Sequence, residues 1–237
     1  NGVIERIARR VDIPDEAEVI DASGHHVYPG LVAVQSVGLV GTPRPRDATD
    51  VFGIQMAVAL AGGLTTVEAG GDACKLTFGS LDGIVLAEDL YEKLRYTTER
   101  PDSRREVREG LARVRDYLRR KAAYDRAKER SPDDESLEEP DGSFIKGKYQ
   151  TYRRLLEGEA TALVEADNAH ALRAIADLAS EFGLDVVVAG GVEAWTVAPR
   201  LGRAGVKVVI SARERQDPDK RLLRPNGSRI QNARILH

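Results

Sequence analysis

The chain has 237 residues, 42% hydrophobic and 31% charged, enough for one large core or a domain with a small appendage and unlike a disordered chain. With 35 Lys and Arg against 38 Asp and Glu, the formal net charge of −3 gives no electrostatic case for nucleic acid or an anionic membrane as partner. The single cysteine, Cys74, excludes an intrachain disulfide and a cysteine-based zinc site, and no apolar run approaches the roughly 20 residues of a membrane span, so the compartment stays open.

Residues 1–30 alternate short apolar segments with Gly, Pro and Asp, the pattern of a small β-rich unit. Pro29-Gly30 then launches Leu31-Val32-Ala33-Val34, a buried strand in reading, which delivers Gln35 and Ser36 at its end. Residues 51–63 are apolar, helix-length and stopped by Gly62-Gly63. Residues 64–71 are β-branched and close on Gly70-Gly71, as a buried strand opening into a loop would. The stretch 91–158 is strongly charged. Ser103 and Glu106 have the form of a capping box, and Val107, Leu111, Val114 and Leu118 fall on one stripe of an amphipathic helix. An acidic, turn-rich loop is expected over 131–143, then a helix from Lys148 that buries Tyr149, Tyr152, Leu155 and Leu156.

The last third is the most regular. Strands are predicted at 160–166, 184–191 and 205–212, with helices at 170–183, 192–205 and from 228 onward. Continuous apolar strands separated by helices predict parallel pairing with both faces covered. A barrel and an open doubly wound sheet both satisfy that pattern. No G-x-G-x-x-G or P-loop sequence follows a strand, which favours a (β/α) barrel, although only about six of its eight strands are visible.

Three phrases point to a family. EVIDASGHHVYPGLVAVQSVGL (18–39) resembles the start of the barrel in the amidohydrolase superfamily, especially its imidazolonepropionase-like branch. ALAGGLTTVEAGG (59–71) is similar to that family's second strand, and 161–211 is similar to its fifth to seventh strands with their helices. The resemblance implies an α/β fold. It would be a TIM-type (β/α) barrel, incomplete in this chain and occupying 31–237, with part of a small N-terminal β-sandwich in 1–30. An eighth strand, with the Asp that serves the family as general base, is not visible, so a fragment of a protein nearer twice this length is expected. The family holds one or two divalent metals at the barrel mouth and hydrolyses non-peptide C–N bonds, typically of cyclic amides.

The same resemblance puts Gln35 and Val37 where the first strand's His-x-His pair belongs, Glu165 at the fifth-strand histidine and Gly190 at the sixth. Valine cannot ligate, and a neutral amide is a poor substitute for imidazole. The four histidines, His25, His26, His170 and His237, match none of these positions. No bound metal or other cofactor is therefore expected, and the chain reads as a non-hydrolytic binding or scaffold subunit. The alternative is an active C–N hydrolase that holds zinc through Glu165 and Asp167 or through residues outside this chain. A third reading gives Glu165 metal-free acid/base work, so whether the chain is an enzyme stays open.

The candidate catalytic residues are Glu165 and Asp167, and the candidate substrate-binding residues are Gln35, Ser36, Glu68 and Arg213, all at predicted strand ends. Glu193, Ser211 and Glu214 arrive there too, Glu193 as a carboxylate opening a helix. Trp195 reads as core, and Cys74 has no histidine nearby to make it a nucleophile. A small-molecule ligand and a homo- or hetero-oligomer are the expected partners, with no nucleic acid and no membrane span.

Overall fold

A parallel strand must bury both faces, and the apolar runs of the last third meet that demand. In the computed structural model, residues 4–34, 38–96, 101–134, 136–210 and 231–237 are described. Their strands form two four-stranded sheets. The second sheet is wholly parallel, in the order β5 (Tyr91–Lys93), β6 (Thr161–Ala166), β7 (Val186–Gly190), β8 (Lys207–Ile210). Spatial order follows chain order, with no reversal.

The helices of this half lie on one face of the sheet. Ala162, Val164, Ala166, Val186 and Val188 share a core with the apolar stripes of α3 (Pro101–Arg130), α4 (Lys148–Glu157), α5 (Ala169–Phe182) and α6 (Ala198–Arg203). The alternate residues Leu163, Glu165, Val187 and Ala189 point to the other face. The strands lie in sequential order with helices on one side, without the reversal of order and the covering of both faces that mark a doubly wound sheet. Among the described residues the two sheets do not close on each other.

The first sheet is mixed. β1 (Leu31–Ala33) runs parallel to β2 (Leu64–Ala69), and β2 is followed by two antiparallel strands, β3 (Asp72–Lys75) and β4 (Val85–Ala87). A smaller core of Val40, Met56, Val67, Ala69, Cys74 and Leu76 lies between this sheet and α2 (Ile54–Ala61). Leu90 joins the two sheets: its N–H donates to Gly71 O at 2.8 Å, and its carbonyl accepts from Thr161 N at 3.2 Å.

Three expectations change. Residues 4–30 contain no strand, and their described backbone makes only local turns, so the strands expected of a β-rich unit are not formed there. A strand needs a partner ladder, and the side chains that would face a second layer are in solvent, Ile7 and Val27 each 85% exposed. The capping box is also not formed. Helix α3 already starts at Pro101, so Ser103 and Glu106 lie inside it, and Glu106 pairs with Lys148 instead. The helix expected at 192–205 is two pieces, a 3₁₀ turn at Ala194–Thr196 and α6, because Pro199 can sit only in a helix's first turn.

The stripe Val107, Leu111 and Val114 is buried as its spacing predicts, with Leu118 packed at its margin. Opposite it, Tyr152 and Leu155 of α4 are buried, and Tyr149 stacks edge-on against Phe144 at 5.5 Å. Helices α3 and α4 meet at Gly110, where a Cβ would lie 2.4 Å from Tyr152 Cε2. No described helix is long and apolar enough to cross a membrane.

Gly110 gives a prediction whose sign separates packing from propensity. Alanine should favour the helix by about 1 kcal/mol, but crowding the buried Tyr152 ring should cost about 1–3 kcal/mol. Gly110→Ala is therefore expected to lower the unfolding free energy in urea by roughly 1 kcal/mol. A stabilised variant would show that the two helices do not meet there.

Candidate functional site

The carboxyl ends of the strands are where a barrel-type fold places its chemistry. At β6 and β7 these ends are built by backbone bonds that continue past the strands. Gly191 N donates to Ala166 O at 2.8 Å, and Glu193 N donates to Asp167 O at 2.8 Å. The Glu193 carboxylate accepts from Ala169 N at 2.8 Å, and Asn168 Oδ1 accepts from Ala171 N at 2.8 Å. The turn after β7 is thus fastened to the turn that opens α5. Glu193 does meet a helix N-terminus, but it is that of α5 rather than of its own helical turn.

Asn232 fastens the same turn from the other side. It is the buried polar residue among those described. Its Nδ2 donates to Gly191 O at 2.8 Å and to Val192 O at 3.2 Å, while its Oδ1 accepts from Trp195 N at 3.0 Å. Trp195 itself is half-buried rather than core. Nothing in the spacing of QNARIL singles out Asn232, because its partners are backbone atoms about forty residues away.

Glu165 ends β6 on the face turned from the helices and is exposed, so water satisfies its carboxylate and no buried partner is needed. Asp167 follows one turn on, also exposed, with its carboxylate against Gly190. Glu68 sits near the end of β2 on the corresponding face, where its Oε1 accepts from Gly71 N at 2.8 Å. Glu165 and Asp167 are adjacent through their strand end. Glu68 belongs to the other sheet. Gln35, Ser36 and Arg213, together with Ser211 and Glu214, lie outside the described residues. Cys74 is fully buried in the first sheet. Burial pushes its thiol up, and the carboxylates of Asp72 and Glu68 push it further, away from the thiolate a nucleophile needs.

The family resemblance implies a divalent ion at the strand ends, and the described residues there do not fit one. Gly190, the position the resemblance gives to the sixth-strand ligand, ends β7. Its φ is +108°, and a Cβ there would lie 2.4 Å from Asp167 Oδ1 and 3.1 Å from Ala166 O. No imidazole could occupy that position without rebuilding the strand end. His170 lies in the first turn of α5 rather than at a strand end, and His25 and His26 lie in the exposed 4–30 segment. Among the described residues no three His, Cys, Asp or Glu side chains gather to hold a metal.

No protein-family profile matches the sequence, and no curated protein matches it. A solved structure does. A crystal structure of an amidohydrolase from Thermotoga maritima MSB8 superposes with a TM-score of 0.61, covering 98% of this chain and 68% of that chain at 19% identity. The molecule is thus an α/β protein whose second sheet is wound from sequential parallel strands, and its fold is similar to that of the Thermotoga amidohydrolase.

The contact at Gly190 is testable by substitution. Alanine at that φ should cost about 1–3 kcal/mol, with the Asp167 collision added. Gly190→Ala is expected to lose stability by thermal or urea melting. Introducing Asp167→Ala alongside should return the collision's share, about 1 kcal/mol, and leave the backbone's share. Equal losses in both backgrounds would mean that Asp167 does not occupy the space.

Proposed function

We propose that this chain is an amidohydrolase-like protein of the imidazolonepropionase-like branch that does not hydrolyse by itself and acts as a binding or scaffold subunit. In that reading residues 1–30 belong to a sandwich segment and residues 31–237 to the barrel. The oligomer is homo- or heteromeric, and any small-molecule ligand enters from the carboxyl ends of the strands. The observation that supports it is the end of β7. A position the family gives to a metal ligand is held by a glycine of φ +108° whose Cβ space Asp167 fills.

The chemistry of the donors points the same way. Glu165, Asp167 and Glu68 offer carboxylates only, and Glu68 is engaged with Gly71. Zinc hydrolases of this kind draw on imidazole to hold the ion and lower the pKa of its water to about 7. What the mouth retains is an acidic, open rim. Glu165 and Asp167 can accept hydrogen bonds from a ligand's N–H or O–H groups, the role that suits binding without turnover.

Purified protein loaded with zinc and then desalted should carry far less than one ion per chain. It should not hydrolyse a panel of cyclic amides and N-acyl compounds above the buffer rate, and Glu165→Ala should change neither result. Stoichiometric zinc, lost together with hydrolysis on Glu165→Ala, would overturn the proposal in favour of an active C–N hydrolase using Glu165 and Asp167. Metal content by mass spectrometry and product formation by chromatography are the two readouts.

A further inference from the structure

A groove lies on the helix side of the parallel sheet, away from the rim that carries Glu165. It encloses about 550 Å³ between the first turns of α3 and the first half of α5. One wall carries Arg104, Arg105 and Arg108, and the other carries His170 and Arg173. Among the described residues, the acidic groups that share it are Glu109 and Asp177. Asp177 is already held by Arg200, whose Nε donates to its Oδ1 at 2.9 Å, and Glu109 lies 3.9 Å from Arg105 Nε. Arg104 and Arg173 have no ion-pair partner among the described residues.

One arginine is fixed in advance. Arg108 Nε donates to Tyr96 Oη at 2.9 Å, Tyr96 is only 4% exposed, and Arg108 Nη1 pairs with Glu181. Its second amino group, Nη2, has no protein partner among the described residues. Two of the first amides of α5 are committed, Ala169 N to Glu193 and Ala171 N to Asn168. The side-chain donors that line the groove are guanidinium groups and the imidazole.

From this arrangement we infer that the groove is a binding site for a phosphate-bearing small molecule, held between Arg104 and Arg108 on α3 and Arg173 on α5. The two-walled arrangement selects the ligand. A carboxylate offers two oxygens in one plane and is satisfied by a single guanidinium fork. A phosphate or phosphate monoester offers three oxygens in three directions and can be gripped from both walls at once. The groove has room for a phosphate ester of modest size rather than the bare anion alone. This site does not rest on the reading of the strand-end rim, and either can fail without the other.

Isothermal titration of the whole chain with inorganic phosphate, pyrophosphate and glycerol 3-phosphate tests it. Saturable binding at one site per chain is expected, weakening as salt rises. Arg104→Gln and Arg173→Gln, neither of which breaks a described ion pair, should each weaken binding about tenfold or more. Arg126→Gln removes the same charge from exposed helix surface, and it should change affinity by no more than about twofold. Circular dichroism establishes that each variant keeps its fold. Three results would overturn the proposal: no saturation by any of the three probes, an equal loss with Arg126→Gln, or succinate binding as tightly as pyrophosphate. Binding of free phosphate with exclusion of glycerol 3-phosphate would overturn the ester assignment.

Discussion

Val186–Gly190 is buried at every position, and that constraint organises the half of the molecule around it. A strand with no exposed face needs a parallel neighbour on each edge and side chains above and below. Here the edges are met by β6 and β8 in unbroken register, and one face is met by the apolar stripes of the helices. Burial on this scale accounts for the sequence VVVAG itself. Three valines fill the pleat, alanine fits between strands, and glycine lets the chain turn out where the ladder ends. Fully burying each valine contributes about 1.5–3 kcal/mol relative to exposure, so no loop contact competes with this strand in placing its neighbours.

The strand's end carries that rigidity into the rim. Hydrogen bonds from Gly191 and Glu193 extend the β6–β7 ladder, and Asn232 occupies three further backbone groups of the same turn. Buried amide and carbonyl groups left unpaired would each cost about 1–3 kcal/mol, so one asparagine satisfies backbone groups of a turn that Glu193 ties to α5 from its other side. The consequence for function is geometric. A turn sewn to its neighbour, with the Asp167 carboxylate lying on a glycine Cα, has no side chain projecting from the end of β7. The carboxylates that remain belong to β6 and β2, on separate sheets.

What was legible in the sequence follows the strength of the physical signal. The run VVVAG reads as a strand because burial at every position leaves no polar residue to interrupt it, and ALVEA and KVVI read as strands from apolar runs broken by one charged residue each. Helix α5 reads because Asn168 caps it and Gly183 closes it in the left-handed conformation at φ +67°. Strands β3 and β5, DACK and YEK, carry no such signal. They are short and half polar, and their existence depends on neighbours: β3 pairs with β2, and β5 with β6. The Ser103–Glu106 spacing misleads because Pro101 is itself a good first helical residue and starts α3 earlier. The role of Glu193 was half legible. A carboxylate at a helix start is visible in the sequence, but which helix it serves depends on how two turns pack.

Charge shows the same limit of linear reading. A near-balanced total, 35 basic against 38 acidic residues, removes any argument from the net field of the molecule. It does not describe how the charges are sorted. Helix α3 has 30 residues, so its ends lie about 45 Å apart. Its first turns bring Arg104, Arg105 and Arg108 to the groove, whereas its last turns meet the acidic loop through Lys121 and Glu139 at 2.9 Å. With a screening length of about 8 Å in physiological salt, the two ends are electrically independent, and what each offers a ligand is set by its own neighbours. The last turns carry Lys128 and Arg130 but lie beside the acidic loop. The first turns mix Arg104, Arg105 and Arg108 with Asp102, Glu106 and Glu109, and Glu106 is drawn to Lys148, so it is packing against α5 that gathers the arginines along one groove, which a solvated charged face by itself would not do.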